Sequence, residues 1–390
     1  MNSLCIDTGY ISLNKYGEEL CGDRVEIVRQ EDGSFILVIA DGLGSGVKAN
    51  ILSTLTSKII STMIANSMSV EECVSTIAAT LPVCQKRGIA YSTFTIIQIT
   101  NNTEAKIIQF DNPIVIMLRN GKNLEYTLNS RVIDGKKIYE SNVKLNLDDV
   151  FIAMSDGAIY AGVGQTLNYG WQRENIVQFI EGNYNYKLAA KTIASLISDK
   201  CADLYDNKPG DDTTIAAVKI RKRQPSNLII GPPANSDDDE KMMSLFFAKE
   251  GRHIVCGGTT SCIAAQYLEK EVQTSINYID PQIPPTAKIE GVDLVTEGVI
   301  TISKVLDYAK NYLEDNRLYK EWSVKKDGAS EIARLLFEEA TDINFFAGKA
   351  INPAHQNPNL PINFSIKIRL IDELAQCLKQ MGKSIKVSYF

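Results

Sequence analysis

Histidine is almost missing from this chain: two residues in 390, His253 and His355. Neither has a second histidine within motif spacing, so the sequence offers no histidine-rich zinc site. His253 stands at the start of an apolar run. His355 sits in the two-proline loop Asn352-Pro353-Ala354-His355-Gln356-Asn357-Pro358, and both read as structural despite a suitable pKa. The eight cysteines are scattered without a Cys-x-x-Cys pair, and Cys84 and Cys201 read as reduced structural thiols. No apolar run approaches the roughly 20 residues of a spanning helix. Met1 to Asp7 has neither the basic nor the apolar region of a signal peptide, so the expected location is cytoplasmic. Excess positive charge is also missing. The net charge is −6, with 22 basic and 25 acidic residues up to Lys222 and 19 and 22 beyond it. Each part carries −3, which argues against a nucleic-acid or anionic-membrane surface. Two phosphate-binding signatures fail as well. In Gly42-x-Gly44-x-Gly46, Val47 stands where a dinucleotide fingerprint needs its third glycine, and Lys48 is followed by Ala49 rather than Ser or Thr.

What is present is enough apolar material, 44% of residues, for two ordinary domains. The polar, proline-bearing stretch Arg221 to Asn227 is the best boundary, giving lobes 1–222 and 226–390. The first lobe is organised around Phe35-Ile36-Leu37-Val38-Ile39-Ala40-Asp41-Gly42-Leu43-Gly44-Ser45-Gly46, a buried strand that ends in an acid and a glycine-broken turn. A helix follows from Val47 to Ala65, and a second runs from Ser69, a serine N-cap with acids in the first turn, to Leu81 before Pro82. Asp32-Gly33 signals a hairpin that would set Asp23, on the preceding strand, beside Asp41. Strands return from Tyr91, with turns at Thr100-Asn101-Asn102 and Asn120-Gly121, and a helix spans Leu188 to Tyr205. The lobe therefore reads as α+β, strands with a helical pair inserted.

Val150-Phe151-Ile152-Ala153-Met154-Ser155-Asp156-Gly157 repeats the strand-acid-glycine device, and Gly210-Asp211-Asp212-Thr213-Thr214 places two more acids before a strand. Acids thus sit at four strand boundaries: Asp23, Asp41, Asp156 and the pair Asp211-Asp212. Alone, Asp23 reads as a solvated strand-edge acid, and a strand-acid-glycine turn as only a turn. Gathered without Lys or Arg partners, they would repel one another unless a cation neutralised them. Oxygen-only ligation favours a hard ion, Mg²⁺ or Mn²⁺. Two such ions about 3.5–4 Å apart can generate a hydroxide nucleophile and clamp a phosphoryl group, which predicts phosphate-ester hydrolysis without a covalent intermediate.

These pieces, in their order and spacing, resemble the metal-dependent type 2C (PPM) serine/threonine protein phosphatases, and specifically their bacterial SpoIIE-type branch. The resemblance covers nearly all of residues 1–222. It implies a four-layer α-β-β-α sandwich and two Mn²⁺ or Mg²⁺ ions. Asp41 matches the bridging aspartate, and Gly42 the residue whose carbonyl binds one ion. Asp156 and Asp211 match further ligands of the first ion, and Asp23 the acid that reaches the second. Asp212 occupies a place where the family has Asn or Asp, and ranks below Asp211. The helices 47–65 and 69–81 match a pair that switches activity when a partner or regulatory domain docks, and homodimerisation through them is an analogy of the same kind. The implied substrate is a phosphorylated signalling protein such as an anti-sigma-factor antagonist. One departure stands out. An acid that often follows Ser-Asp-Gly is missing here, where Ala158-Ile159-Tyr160 follows.

The second lobe alternates strands and helices, which predicts a smaller layered α/β domain with a largely parallel sheet. Leu228-Ile229-Ile230, His253 to Cys256 and Val292 to Val295 each run into a small or polar turn and then a helix. Such turns lie at strand carboxyl ends, where ligands of open α/β sheets collect. Gly257-Gly258-Thr259-Thr260-Ser261 is either a cradle for a small anionic effector or an ordinary N-cap. Thr296 and Glu297 either join that pocket or cap their own helix. A helix from Ile366 to Met381 and a strand from Ser384 to Tyr389 close the lobe, with Phe390 expected to be docked. The lobe resembles a recurring companion of SpoIIE-type domains with no activity to carry over. Three readings follow: a phosphatase regulated by its second lobe, a low-turnover sensor or scaffold that binds an anionic ligand through that lobe, or a second lobe that is itself an enzyme on a small phosphorylated metabolite.

Overall fold

The computed structural model describes residues 4–30, 32–80, 92–274, 280–350 and 363–390, without the side chains of 363–365. Pro82, Cys84, Tyr91 and the His355 loop lie outside the described residues. The chain divides into two compact units, Met1–Lys222 and Arg223–Phe390.

In the first unit, β1 (Leu4–Leu13), β2 (Asp23–Arg29) and β3 (Phe35–Gly42) precede α1 (Gly46–Ala65) and α2 (Val70–Thr80). Next come β4 (Ser92–Thr100), β5 (Glu104–Phe110), β6 (Ile116–Arg119), β7 (Lys122–Asn123), β8 (Asn129–Ile133), β9 (Lys136–Lys144) and β10 (Val150–Met154). The short α3 (Asp156–Ile159), α4 (Arg173–Asn183), α5 (Ala190–Leu204) and β11 (Thr213–Lys222) complete it. Two antiparallel sheets result, ordered β1-β11-β10-β6-β7 and β2-β3-β4-β5-β9-β8.

The alternation of side chains along a strand assigns the layers. From β3, Phe35, Leu37 and Ile39 join Ile97 and Ile107 against Phe151, Ala153, Ala216 and Val218 of the other sheet. Ile36 and Val38 point the opposite way and pack under Ile60 and Ile64 of α1 and Val74 and Ile77 of α2. A strand buried on both faces has no polar face to alternate with, which explains its continuous apolar run. With α5 packed on β1 and β11, the unit has four layers, α-β-β-α, as the resemblance implied. Helix α2 is started by a capping box: the Ser69 N–H donates to Glu72 Oε2 at 2.8 Å, and the Glu72 N–H donates to Ser69 Oγ at 3.2 Å.

The second unit contains β12 (Pro225–Ile230), α6 (Asp239–Phe247), β13 (Arg252–Cys256), α7 (Gly258–Leu268), β14 (Gln273–Thr274) and β15 (Ala287–Lys288). It continues with β16 (Leu294–Thr296), α8 (Val299–Glu314), α9 (Tyr319–Trp322) and α10 (Gly328–Ala333), which runs into a π-helical turn at Arg334–Glu339. Strand β17 (Asp342–Ala347), helix α11 (Asn363–Gln380) and strand β18 (Ser384–Tyr389) end the chain. Its sheet is ordered β14-β15-β16-β13-β12-β17-β18, and the five strands from β16 to β18 are parallel. Helices α6 and α7 pack on one face through Met242, Phe246 and Ala264. Helices α8, α10 and α11 pack on the other through Val305, Ile332 and Leu374. Phe390 is docked: its N–H donates to the Ala347 carbonyl at 3.0 Å, and its ring stacks on Phe346.

The structure corrects three expectations. Arg221 and Lys222 belong to β11 and Pro225 opens β12, so the expected linker 221–227 shrinks to Arg223 and Gln224. Pro225 is tolerated because a strand's first residue can forgo its N–H. Strand β1, which the sequence did not announce, pairs with β11 over ten residues. Its Asp7, Thr8 and Gly9 interrupt the apolar pattern of an edge strand. Helix α6 stops at Phe247 rather than Glu250.

Candidate functional site

The hairpin of β2 and β3 sets Asp23 directly opposite Asp41. Asp23 is 4% exposed. Its Oδ2 accepts the Ser155 hydroxyl at 2.7 Å, and Ser155 Oγ in turn accepts the Thr214 N–H at 2.9 Å. These two bonds tie the end of β2 to the ends of β10 and β11, and so bring acids from both sheets together. Asp156 follows Ser155 as the first residue of α3. The Tyr205 hydroxyl fixes that corner by donating to the Gly157 carbonyl at 2.7 Å. A Cβ on Gly157 would lie 2.2 Å from the Asp212 carbonyl oxygen, so the Ser-Asp-Gly turn lies directly against the Asp-Asp turn.

Of the two turn acids, Asp212 lies deeper than Asp211. Asp212 is 3% exposed, its Oδ1 accepts the Lys15 N–H at 3.0 Å, and its Oδ2 lies beside Gly22. Asp211 is half-buried and spends Oδ1 on the Asp212 N–H. A polar residue at a turn can face either way, and only its packing decides.

Gly42 carries the closest approach in the site. A Cβ there would sit 2.0 Å from the Ala49 carbonyl oxygen, so α1 crosses directly over the residue after Asp41. Glu18 pins the turn from the other side, accepting the Ser45 hydroxyl at 3.0 Å. The Asn50 amide donates to the Cys21 carbonyl at 2.8 Å, so α1 also holds the approach to Asp23. The sequence singled out neither Glu18, Asn50 nor Lys15, since each is an ordinary polar residue in a loop or helix.

The electrostatics agree with this convergence. The Asp41 carboxyl is pushed up to about 9, by burial first and then by Asp23, Asp156, Asp211 and Asp212. The Asp23 carboxyl is pushed up to about 7, by burial first, against the opposing hydrogen bonds from Ser155 and Thr214, with Asp212 and Asp156 adding to the rise. Burial also raises Asp156 and Asp211, and Lys15 partly offsets the shift at Asp211. Two buried carboxylate oxygens, Asp23 Oδ1 and Asp212 Oδ2, have no hydrogen-bond partner. Among the described residues no group of three or more Asp, Glu, His or Cys side chains stands placed to hold a metal ion. Unpartnered buried oxygens and mutually repelling acids, all hard donors, are what a divalent hard cation would satisfy, so the donor set fits Mg²⁺ or Mn²⁺.

In the second unit, Gly257 caps α7, Gly258 and Thr259 are exposed, and Thr260 and Ser261 are buried. Ser261 Oγ donates to the Gly257 carbonyl at 2.8 Å, which removes its hydroxyl from any cradle. Thr296 Oγ1 donates to the Glu297 carbonyl at 2.8 Å, and Glu297 Oε2 accepts the Ile300 N–H at 3.1 Å, so Glu297 caps its own helix. His253 packs edge-on to Phe246, in a structural role.

Comparison with known proteins relates this site to a family. The family model for stage II sporulation protein E (SpoIIE) matches residues 31–221, which include Asp41, Asp156, Asp211 and Asp212. Stage II sporulation protein E of Priestia megaterium is 21% identical over 225 residues, which is 56% of this chain and 37% of that relative. The chain thus spans little more than a third of the curated relative. Among solved structures, the PP2C phosphatase domain with a regulatory-domain fragment of SpoIIE from Bacillus subtilis is similar at TM-score 0.48 and 21% identity, covering 57% of this chain and 65% of that one. The phosphatase domain of the same protein in another crystal form gives TM-score 0.45 and 19% identity, over 57% and 95%. Over residues 31–221 the first compact unit of this chain is similar to the SpoIIE family.

Proposed function

We propose that the first unit hydrolyses phosphate esters of phosphoserine or phosphothreonine in a protein substrate, with two Mn²⁺ or Mg²⁺ ions. The observation that carries this reading is the convergence of Asp23, Asp156, Asp211 and Asp212 on Asp41, with two buried carboxylate oxygens left without partners. Asp41 and the Gly42 carbonyl, with Asp156 and Asp211, would hold one ion, and Asp41 with Asp23 the other. Asp212 is deep enough to join them. When bound, the ions activate a water and neutralise the phosphoryl group. The chain's own part is to fix the donors. Ser155 holds Asp23 in one orientation, Tyr205 holds the Asp156 corner, and α1 covers Gly42.

The substrate class, by family resemblance, is a phosphorylated signalling protein such as an anti-sigma-factor antagonist. Helices α1 and α2 are the proposed activity switch, since the first residues of α1 lie over Gly42. Val47, Ile51 and Leu55 form an exposed apolar stripe on α1, which suits docking of a partner or a second copy. The second unit is the proposed regulatory element. The test is phosphate release from a phosphoserine protein by the full chain. We expect Mn²⁺-dependent turnover that is abolished by chelator and reduced at least about a hundredfold in Asp41→Ala, an electrostatic loss of the usual size. Unchanged turnover in a folded Asp41→Ala variant would sink the assignment, and robust turnover in the native chain removes the scaffold reading.

A further inference from the structure

The sixteen residues from Gly157 to Gln172 contain no charged side chain, in a chain that is 23% charged. They begin directly after Asp156 and end where α4 starts. Three large apolar side chains stand out from them: Tyr160 is 50% exposed, Val163 46% and Tyr169 84%. Surface loops normally carry charge. Its depletion marks the core of a contact with another protein.

The loop is a fixed one. The Tyr160 N–H donates to the Asp156 carbonyl at 3.0 Å, and the Val163 N–H to the Tyr160 carbonyl at 3.0 Å. The Leu167 N–H returns to the Gly162 carbonyl at 2.9 Å, and Thr166 Oγ1 donates to the Leu204 carbonyl at 2.7 Å, which ties the tip to the end of α5. Buried Trp171 closes the base against the ring of Phe179. Gly170 joins the two ends. A Cβ there would lie 2.4 Å from the Ile159 carbonyl oxygen and 3.0 Å from both Tyr160 Cα and Val163 Cγ2, and its φ of +77° suits glycine. Tyr160 and Val163 thus meet at the residue after Tyr169, so the three exposed side chains spring from one rigid bank rather than lying scattered singly.

Helix α3 sets where that bank stands. Asp156 and Tyr160 are four residues apart across its single turn, which puts their Cβ atoms about 5–6 Å apart on one face. A half-exposed ring therefore flanks the carboxylate proposed to hold an ion. Among the described residues neither Tyr160 nor Tyr169 has a ring partner, and neither hydroxyl has a hydrogen-bond partner. A phosphate held at Asp156 brings the residues beside it in its carrier onto these rings. The bank has no charge to pair with acidic or basic flanks, whereas rigid tyrosines bury apolar area at little entropic cost. Building on the phosphatase reading, we propose that Tyr160, Val163 and Tyr169 select the substrate: a protein whose phosphorylated residue is flanked by exposed apolar side chains.

The test compares two peptides that differ only in the residues beside the phosphoserine, leucines in one and serines in the other. We expect kcat/KM of the full chain with Mn²⁺ to favour the leucine flanks about tenfold, through KM, the low end of what a small apolar group is worth in a fitted site. Tyr160→Ser combined with Tyr169→Ser should abolish that ratio, and Tyr160→Leu should keep it. Val132→Ser, at a residue 71% exposed in β8, should leave it alone. A ratio taken within each variant cancels any change at the ions themselves. A native ratio near one, or a ratio that survives the double substitution, would overturn the proposal. Should neither peptide be turned over, the phosphatase reading fails by itself, and fluorescence anisotropy on the non-hydrolysable phosphonate analogues of both peptides decides the proposal separately. Equal affinities there overturn it, and tighter binding of the leucine peptide that is lost in the double variant upholds it.

Discussion

At the scale of single residues, the site depends on hydrogen bonds that hold charge where charge is unwelcome. Ser155 is the clearest instance, since its hydroxyl donates to Asp23 and its oxygen accepts from Thr214. Removing it leaves a buried carboxylate oxygen and a buried N–H without partners, at a cost of about 1–3 kcal/mol. Ser155→Ala should therefore lower the midpoint of urea unfolding. It should also weaken Mn²⁺ binding by about 10–100-fold, the usual price of losing a group that orients a ligand. Titration of Mn²⁺ by calorimetry reads the second effect, and an affinity equal to the native one would show that Asp23 needs no such partner. The acids were legible in the sequence because Asp41 and Asp156 stand in a strand-acid-glycine pattern, and Asp23 and the pair Asp211-Asp212 follow a glycine just where a strand begins. The deeper position of Asp212 relative to Asp211 was not, because both occupy one turn and only contact with Gly22 and Lys15 separates them.

At the scale of elements, the chemistry and its control meet in α1. The helix passes so close to Gly42 that a methyl group there would overlap the Ala49 carbonyl. Gly42→Ala must push α1 outward or twist the end of β3. We expect a loss of turnover well beyond any loss of stability, with faster amide exchange in residues 46–65. Normal turnover would show that the position of α1 does not matter to the site. Helix α2 is stabilised independently by its capping box, so Ser69→Ala should cost about 0.5–2 kcal/mol. The loss should appear as faster exchange confined to residues 70–80, whereas protection spreading over the whole unit would contradict a local cap.

At the scale of the whole chain, two compact units carry separate cores. A ligand stabilises only the state that binds it. Scanning calorimetry should therefore resolve two transitions, one raised by Mn²⁺ and lost as a metal response in Asp41→Asn, the other indifferent to Mn²⁺. A single transition moved by Mn²⁺ would mean that the units unfold as one. No described helix is long and apolar enough to cross a membrane.

The sequence by itself determined the strands that end in acids, the helical pair after Asp41, the serine N-cap of α2 and the parallel character of the second unit. These are local properties, fixed by apolar periodicity, turn chemistry and the spacing of a few residues. Tertiary structure alone decided the rest. It paired the unannounced β1 with β11, shortened the linker to two residues and buried Asp212 ahead of Asp211. It also turned Ser261 away from the expected cradle and brought Lys367 to Gly231 from a helix more than a hundred residues away. Each outcome depends on which surfaces meet across long sequence separations, and no local pattern encodes a meeting between residues that far apart.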